Sequence, residues 1–370
     1  MKILIVEPFL TGSHAAWAKE YAEHSSHDVA ILGLEGRHWK WRMHGGAITL
    51  ARLFAEGAYE PDCIVATDML DLTVFLALTK EMTADIPTAM YFHENQLTYP
   101  WSEKDRDLAK ERDMHYCFIN YASALAADAV LFNSEYHRNA FLDNLEPFLD
   151  TFPDHKEIAT VGAIKERSSV LPLGLDLRHL EEHRVGRDRG QRPLLLWNHR
   201  WEYDKNPDEF FRAVTALDRQ GLDFDLAVLG ESFDVEPKVF RESASRLGDR
   251  VLQLGYVESF DEYASWLWKA DLMPVTSIHD FFGASVVQAI YCDCYPLLPR
   301  RLAYPEHIPA DRHADHLYDN FGDLVAMLGD RIEHIHDTRM TSTRPFVERY
   351  DWGNMAPEYD RTFESIVETA

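Results

Sequence analysis

The stretch "PLLLWNHRWEYDKNPDEFF" (193–211) decides the fold. Its first half is a short apolar run of the kind that forms a strand buried on both faces, and it ends in polar Asn198, His199 and Arg200. A brief polar turn follows, and then Asn206-Pro207-Asp208-Glu209 has the order of a helix start, with a capping Asn before a Pro at the first helical position. A buried strand that runs into a helix in this way is half of a parallel β-α-β unit.

The same grammar extends in both directions. Upstream lie "KILIVEPF" (2–9), "DVAILGL" (28–34), "DCIVATD" (62–68), "PTAMYFHEN" (87–95), "DAVLFNS" (128–134) and "SSVLPLG" (168–174), separated by helical patterns. A polar stretch (181–193) intervenes, after which "DFDLAVLGE", "VLQLGYV", "DLMPVTS" and a short "YPLLP" continue the second series. The chain is therefore expected to be α/β, with two doubly wound Rossmann-like domains at 1–178 and 190–344 facing a central cleft. The last segment, 345–370, has helical spacing broken near Gly353 and Pro357 and is expected to cross back and brace the first domain.

Composition narrows the function. Of 370 residues, 62 are Asp or Glu and 37 Lys or Arg, a net charge of -25 that repels phosphate polymers, so any nucleic-acid contact must be local. Cys63, Cys117, Cys292 and Cys294 lack paired metal-ligand spacing, and no run of about 18 apolar residues or signal-peptide pattern is present. These features suit a reduced, cytoplasmic protein that is not in a membrane. The lack of G-x-G-x-x-G weighs against a dinucleotide oxidoreductase, and Asp223-Phe-Asp225 precedes a strand at the wrong end to serve a cleft metal.

Four constellations can carry chemistry. Arg200 and Lys205, at a strand end and beside a helix start, suit a diphosphate; the same two cations could equally pair with Glu202 and Asp204. In "SIHDFFGASVVQAIYCDCYPLLP", Asp280 precedes a helix opening at Gly283, where the amides of Gly283 and Ala284 can meet phosphate and Gln288, about 12 Å on, can reach a ribose. A capped buried helix without a ligand would show the same pattern. Gly12, Ser13 and His14 follow the first strand, with Ser13 placed to cap the next helix, and His93, Glu94, Asn95 and Gln96 follow the fourth. Finally, "GRHWKWRMHGG" (36–46) interleaves Arg37, Lys40 and Arg42 with Trp39 and Trp41, and is expected as a loop at the carboxyl edge of the first sheet. It is either a packed lid or a local RNA contact.

Taken together the chain resembles the retaining GT-B glycosyltransferases of family four: Gly12, "VLPLGLDL" (170–177), "HRWEYDKNP", "AVLGE" and "HDFFGASVVQA" carry the likeness along nearly its whole length. More narrowly, "GSH", "HWKWR", "YFHENQLTYP", "LFNSEYH" and "FFG…AIYCDCYPLLPRRLAYPE" resemble the tRNA-queuosine α-mannosyltransferase group. The resemblance implies transfer of mannose from GDP-mannose to the cyclopentenediol of queuosine at the tRNA wobble position, with retention, no cofactor and no metal. It assigns His93, Arg200, Lys205 and Asp280 to catalysis, and Gly12, Gly283, Ala284 and Gln288 with the two cations to the donor. The acceptor falls to Ser13, His14, Arg37, Trp39, Lys40, Trp41, Arg42, Glu94, Asn95 and Gln96. Two positions depart from the family pattern, in which glutamates are usual where Asp280 and Gln288 stand. A GT-B transferase or epimerase serving a lipid, glycan or small molecule, and a nucleotide-sugar or RNA binding module without turnover, remain alternatives.

Overall fold

The computed structural model describes residues 1–100, 114–184, 190–231 and 238–369. Residues 185–189 of the expected polar linker lie outside them. The chain forms two compact units, Met1–Leu175 with Trp352–Ala370, and Asp176–Asp351.

The first unit is built on a six-stranded sheet in the order β2-β1-β3-β4-β5-β6: β1 Lys2–Leu10, β2 Asp28–Glu35, β3 Cys63–Thr67, β4 Thr88–Phe92, β5 Ala129–Phe132 and β6 Ser168–Val170. Neighbours pair in parallel, and β3 and β4 are buried along their whole length, as expected for strands covered on both faces by helices. The chain lays β2 on one side of β1 and then crosses to β3 on the other. The direction of winding therefore reverses between β1 and β3, and in doubly wound sheets ligands bind at the carboxyl ends of strands flanking such a reversal.

The second unit repeats the plan in the order β12-β11-β10-β7-β8-β9: β7 Leu194–Asn198, β8 Asp225–Leu229, β9 Val251–Gly255, β10 Leu272–Pro274, β11 Tyr295–Pro299 and β12 Leu317–Tyr318. The two-residue β12 is too short to stand out in sequence. Here the reversal falls between β7 and β10, so the segments after Asn198 and after Pro274 meet at one edge.

Four local expectations are corrected. Residues 36–46 are not a loop: from Trp39 they open an 18-residue helix, Trp39–Glu56, whose buried face carries Met43, Ala47, Leu50 and Phe54 at helical spacing. Ser13 does not cap the first helix but sits in its first turn, behind Thr11 at the cap position. Asn206 does occupy the cap position before Pro207, yet its left-handed backbone (φ 52°) turns the amide away from the first-turn N–H groups, and it donates to Glu209 Oε2 at 3.1 Å. The C-terminal segment does not break at Gly353 or Pro357: Trp352–Thr369 is one helix with Pro357 in its second turn, where the missing N–H forfeits the bond to Gly353 at the helix start. It packs on helix Gly12–His24, where Asp360 accepts from Tyr21 Oη (2.9 Å), Ser25 Oγ (2.6 Å), Ser26 N (2.9 Å) and Ser26 Oγ (2.7 Å).

Candidate active site

In the second unit the reversal edge is lined by buried charge. Lys205 closes a short 3-10 turn after β7, and its Nζ donates to His279 O (3.0 Å) and Asp280 Oδ2 (3.2 Å) and lies 3.1 Å from Asp204 Oδ2. Tyr304 Oη donates to the same Asp280 oxygen at 3.1 Å. Burial works against the ammonium, but Asp280 and Asp204 more than offset it and hold Lys205 above its ordinary range. Burial likewise opposes the Asp280 carboxylate, and Lys205 keeps it below the usual range. His199 and His279 are held down to about 4 by burial and by Lys205, so this edge carries neutral imidazoles around a fixed cation.

Arg200 stands apart from this pair. It lies two residues beyond β7, half exposed, 3.4 Å from Glu202. Thus Arg200 pairs with Glu202 near the surface, as the alternative has it, whereas Lys205 pairs with Asp204 but is buried and also bridges to Asp280 on the β10 side. Gly283 caps helix Ala284–Tyr291 with φ +87°, and a Cβ there would come 3.2 Å from the Tyr304 ring and 3.6 Å from Asp280 Oδ2. That close approach, and the left-handed backbone, require glycine. The first carbonyl used within the helix is that of Gly283, which accepts from Val286 N and Val287 N, so the amides ahead of Val286 have no intrahelical partner at the Asp280 end.

Gln288 is tied down by residues that sequence reasoning missed: Tyr263 Oη donates to its Oε1 at 2.7 Å and accepts from Asn198 Nδ2 at 3.0 Å. Asn198 also donates to Ser285 O, which locks the β7 terminus to the helix start.

In the first unit the reversal edge holds a buried polar cluster. Glu7, on β1, accepts from His14 Nδ1 at 2.9 Å and from Phe9 N at 2.7 Å. The His14 and His93 rings stand 4.3 Å apart, and His93 is enclosed by Trp17 (4.7 Å) and Tyr91 (4.9 Å). Asp68, just after β3, accepts from His93 N at 2.8 Å, while Asn133 Nδ2 donates to His93 O. His93 Nε2 is buried with no hydrogen-bond partner among the described residues. Burial alone would discharge His14, but the Glu7 carboxylate, aided by Asp68 and Glu94, lifts it to about 9. Burial drives His93 well below its ordinary value, and the charge of His14 and the nearby His137 push it the same way. The Glu7 contact therefore favours the charged form of His14, while burial favours the neutral form of His93.

Of the residues after β4, Gln96 Nε2 donates to Glu94 Oε1 (2.9 Å), and Asn95 Oδ1 accepts from Thr98 N and Oγ1, closing the turn. Gly12 has φ +51° and open space around its Cβ position. Glu7 and Asp68 were also missed, although each has a sequence signal: a lone carboxylate inside or at the end of an apolar strand. Glu7, His14 and His93 offer ligand atoms within 4.8 Å of one another, as do half-buried His179 and His183 with exposed Glu182. At the first, a cation would have to displace the Glu7–His14 hydrogen bond.

The basic aromatic segment is split by its helix. Trp39, half-buried, packs against Met43, Met69 and Ile119 and lies 5.2 Å from the Tyr116 ring. Trp41 is 64% exposed, its indole laid along the backbone of Gly45, where a Cβ would come within 2.7 Å. Arg37 is exposed beside Glu35 (2.6 Å), Arg42 donates to Glu35 O, and Lys40 lies 5.5 Å above the Trp39 ring.

Two units, each built on a doubly wound parallel sheet, are the plan of the GT-B fold. Solved structures agree on that fold. Anabaena HepE in complex with UDP matches with a TM-score of 0.66 over 99% of this chain and 100% of that one at 16% identity. Sucrose-phosphate synthase from Thermosynechococcus elongatus matches with 0.68 over 100% of both at 13%. The family model described as tRNA-queuosine alpha-mannosyltransferase N-terminal matches residues 2–175. A tRNA-queuosine alpha-mannosyltransferase of Drosophila melanogaster is 35% identical over 318 residues, 84% of this chain and 82% of the relative. A GDP-mannose:cellobiosyl-diphosphopolyprenol alpha-mannosyltransferase of Xanthomonas oryzae is 24% identical over 172 residues, 45% of each chain. The chain belongs to the tRNA-queuosine α-mannosyltransferase family.

Proposed function

We propose that the protein transfers mannose from GDP-mannose to a hydroxyl of the queuosine cyclopentenediol at the wobble position of tRNA, retaining the anomeric configuration. The identity with the Drosophila relative across most of both chains carries this reading. The donor name of the Xanthomonas relative supports GDP-mannose.

In this reading the diphosphate rests on Arg200 and on the amides of Gly283 and Ala284, with the buried charge of Lys205 behind them and Gly12 close to the donor. Gln288 meets the ribose from the Tyr263 hydrogen bond that holds it. As the anomeric C–O bond to phosphate breaks, negative charge grows on the diphosphate. Removing one preorganised donor at such a point costs roughly a hundredfold to a thousandfold in rate. The acceptor hydroxyl forms the new C–O bond on the same face, its proton passes to the departing phosphate oxygen, and no step requires a metal. His93, neutral and buried, has an Nε2 suited to a substrate hydroxyl. Ser13, His14, Glu94, Asn95 and Gln96 surround the same strand ends and are assigned to the acceptor side. Arg37, Lys40, Trp41 and Arg42 are the RNA contact, with Trp41 the more exposed of the two indoles and Trp39, half-buried, at its base. Four buried free thiols suit the cytoplasm, where tRNA is found. No helix of the described residues is long and apolar enough to cross a membrane.

The net charge of -25 favours a second reading, a GT-B transferase or epimerase whose substrate is a lipid, glycan or small molecule. Incubation with labelled GDP-mannose or UDP-glucose, each in the presence of bulk tRNA, separates the two. Label entering RNA from GDP-mannose alone supports the first reading, and label entering only small molecules or lipid supports the second.

A further inference from the structure

Three side chains from three elements close a ring at the carboxyl end of β7. Asn198, the last residue of that strand, is buried; Tyr263 lies on helix Phe260–Lys269, and Gln288 lies on helix Ala284–Tyr291, one turn beyond Ser285. The two ends of a side-chain amide are told apart by what they bond. Asn198 meets Ser285 O at 3.0 Å, and a backbone carbonyl can only accept, so this end of Asn198 is its NH2. The same nitrogen lies 3.0 Å from Tyr263 Oη and donates there too, which leaves the phenol to send its own proton elsewhere. That proton goes to Gln288, at 2.7 Å, the length of an O–H···O bond rather than an N–H···O one. Gln288 must therefore turn its carbonyl oxygen to Tyr263 and hold its NH2 away. Gln288 is half-buried, and its Nε2 makes no hydrogen bond among the described residues.

We propose that Asn198 and Tyr263 are positioning residues that fix the polarity of Gln288, so that it meets the ribose of the sugar nucleotide as a hydrogen-bond donor and not as an acceptor. The inference rests on the reading above in taking Gln288 to face the ribose. A carboxylate at this position would offer acceptors alone and would take the proton of a ribose hydroxyl. An amide whose oxygen is already occupied offers N–H and binds the hydroxyl through its oxygen lone pair. The ligand then needs an acceptor at that atom, and its hydroxyl proton is free to bond elsewhere. Without the Tyr263 hydroxyl the amide could present either end, so the discrimination lies in Tyr263 and, behind it, in the backbone carbonyl that orients Asn198.

Calorimetric titration with GDP and its 2′-deoxy, 2′-fluoro-2′-deoxy, 3′-deoxy and 3′-fluoro-3′-deoxy analogues reads the polarity. Organic fluorine accepts weakly and cannot donate. At the carbon whose oxygen faces Gln288, the fluoro compound should bind about threefold or more tightly than the deoxy compound, part of one hydrogen bond. In Gln288→Glu the order should reverse at that carbon, because fluorine then faces a carboxylate, while the effect of fluorine on the sugar pucker is common to both proteins. In Tyr263→Phe the preference should shrink toward none. A parent that prefers the deoxy compound at both carbons, or the same preference in the parent and Gln288→Glu, overturns the polarity. Tyr263→Phe should weaken GDP about fivefold, and by less than about twofold once Gln288→Ala is also present. An equal loss in both backgrounds means that Tyr263 merely supports the fold, and overturns the positioning role. Without any ligand, the urea midpoints of Tyr263→Phe, Gln288→Ala and the double variant should be non-additive; additivity overturns the hydrogen bond on which the inference stands. Should Tyr263→Phe fail to fold, the analogue series on the parent and Gln288→Glu carries the test. A parent that binds no GDP counts against the donor reading and with it the ribose contact, whereas equal GDP affinity in the parent and Gln288→Ala overturns this inference alone.

Discussion

Lys205 Nζ lies 3.2 Å from Asp280 Oδ2 across the reversal edge of the second sheet, joining the segment after β7 to the segment after β10. The pair helps to hold together the two strand ends of the proposed donor site, beside the bonds from Ile278 N to Asp204 O and from Asn198 to Ser285 O.

Removal of Lys205 leaves Asp204 and Asp280 buried without their cation, a change that typically costs about 3–5 kcal/mol. Lys205→Met should lower the urea midpoint strongly, and Lys205→Met with Asp280→Asn should recover part of that stability. Neither variant should recover transfer, because the cation behind the diphosphate is gone. A double variant with parental kcat would remove Lys205 from the mechanism.

Gly283 combines φ +87° with a close Tyr304 ring, so Gly283→Ala should cost on the order of 1–3 kcal/mol in stability and raise KM for the donor. Calorimetric binding of GDP tests this directly, with unchanged affinity as the opposing result.

Acid should unfold the protein near pH 5. His199, His279, His307 and His316 all have folded values lowered to about 4 from 6.5, burial being the first cause in each. For groups lowered in this way the unfolded chain takes up protons first, so stability is lost as pH falls from 6.5 toward 4. At about 1.4 kcal/mol per unit, each could remove roughly 3 kcal/mol, and four together rival a whole domain's stability. His14, raised to about 9, works in the opposite direction: its contribution is full below 6.5 and lost as pH rises through 9. Thermal melts from pH 4 to 10 should show a plateau with a steep acid limb, and the basic limb should be shallower in His14→Asn.

The two tryptophans of "HWKWR" should separate cleanly. Trp41→Ala should leave stability within about 0.5 kcal/mol and weaken tRNA binding by about 1–3 kcal/mol, the range for one base stack. Trp39→Ala should destabilise the first unit through its contacts with Met43 and Tyr116. Replacing Arg37, Lys40 and Arg42 together should flatten the salt dependence of tRNA binding and leave GDP-mannose binding unchanged.

Much of this was readable before any coordinates. Eleven of the twelve strands among the described residues coincide with apolar runs, and central ones such as β3, β4 and β7 are buried along their whole length, as strands covered on both faces must be. Lys205, Asp280 and Gly283 could be picked out from strand ends and a helix start. Their mutual bridge could not, since it depends on β10 crossing back beside β7 over more than 70 residues. The helix at Trp39 was hidden by its interleaved charges, which mask a buried face that becomes regular only from Met43 onward. Glu7 and His14 are seven residues apart and looked unrelated, because a strand and a turn of helix separate two side chains that meet only after the sheet forms.

The most direct test of the account is transfer from GDP-mannose to tRNA purified from cells with and without queuosine, followed by nucleoside mass spectrometry. The account predicts α-mannosyl-queuosine as the sole new nucleoside in the first tRNA and no incorporation into the second. Equal incorporation into both, or mannose attached anywhere other than the cyclopentenediol, would contradict it.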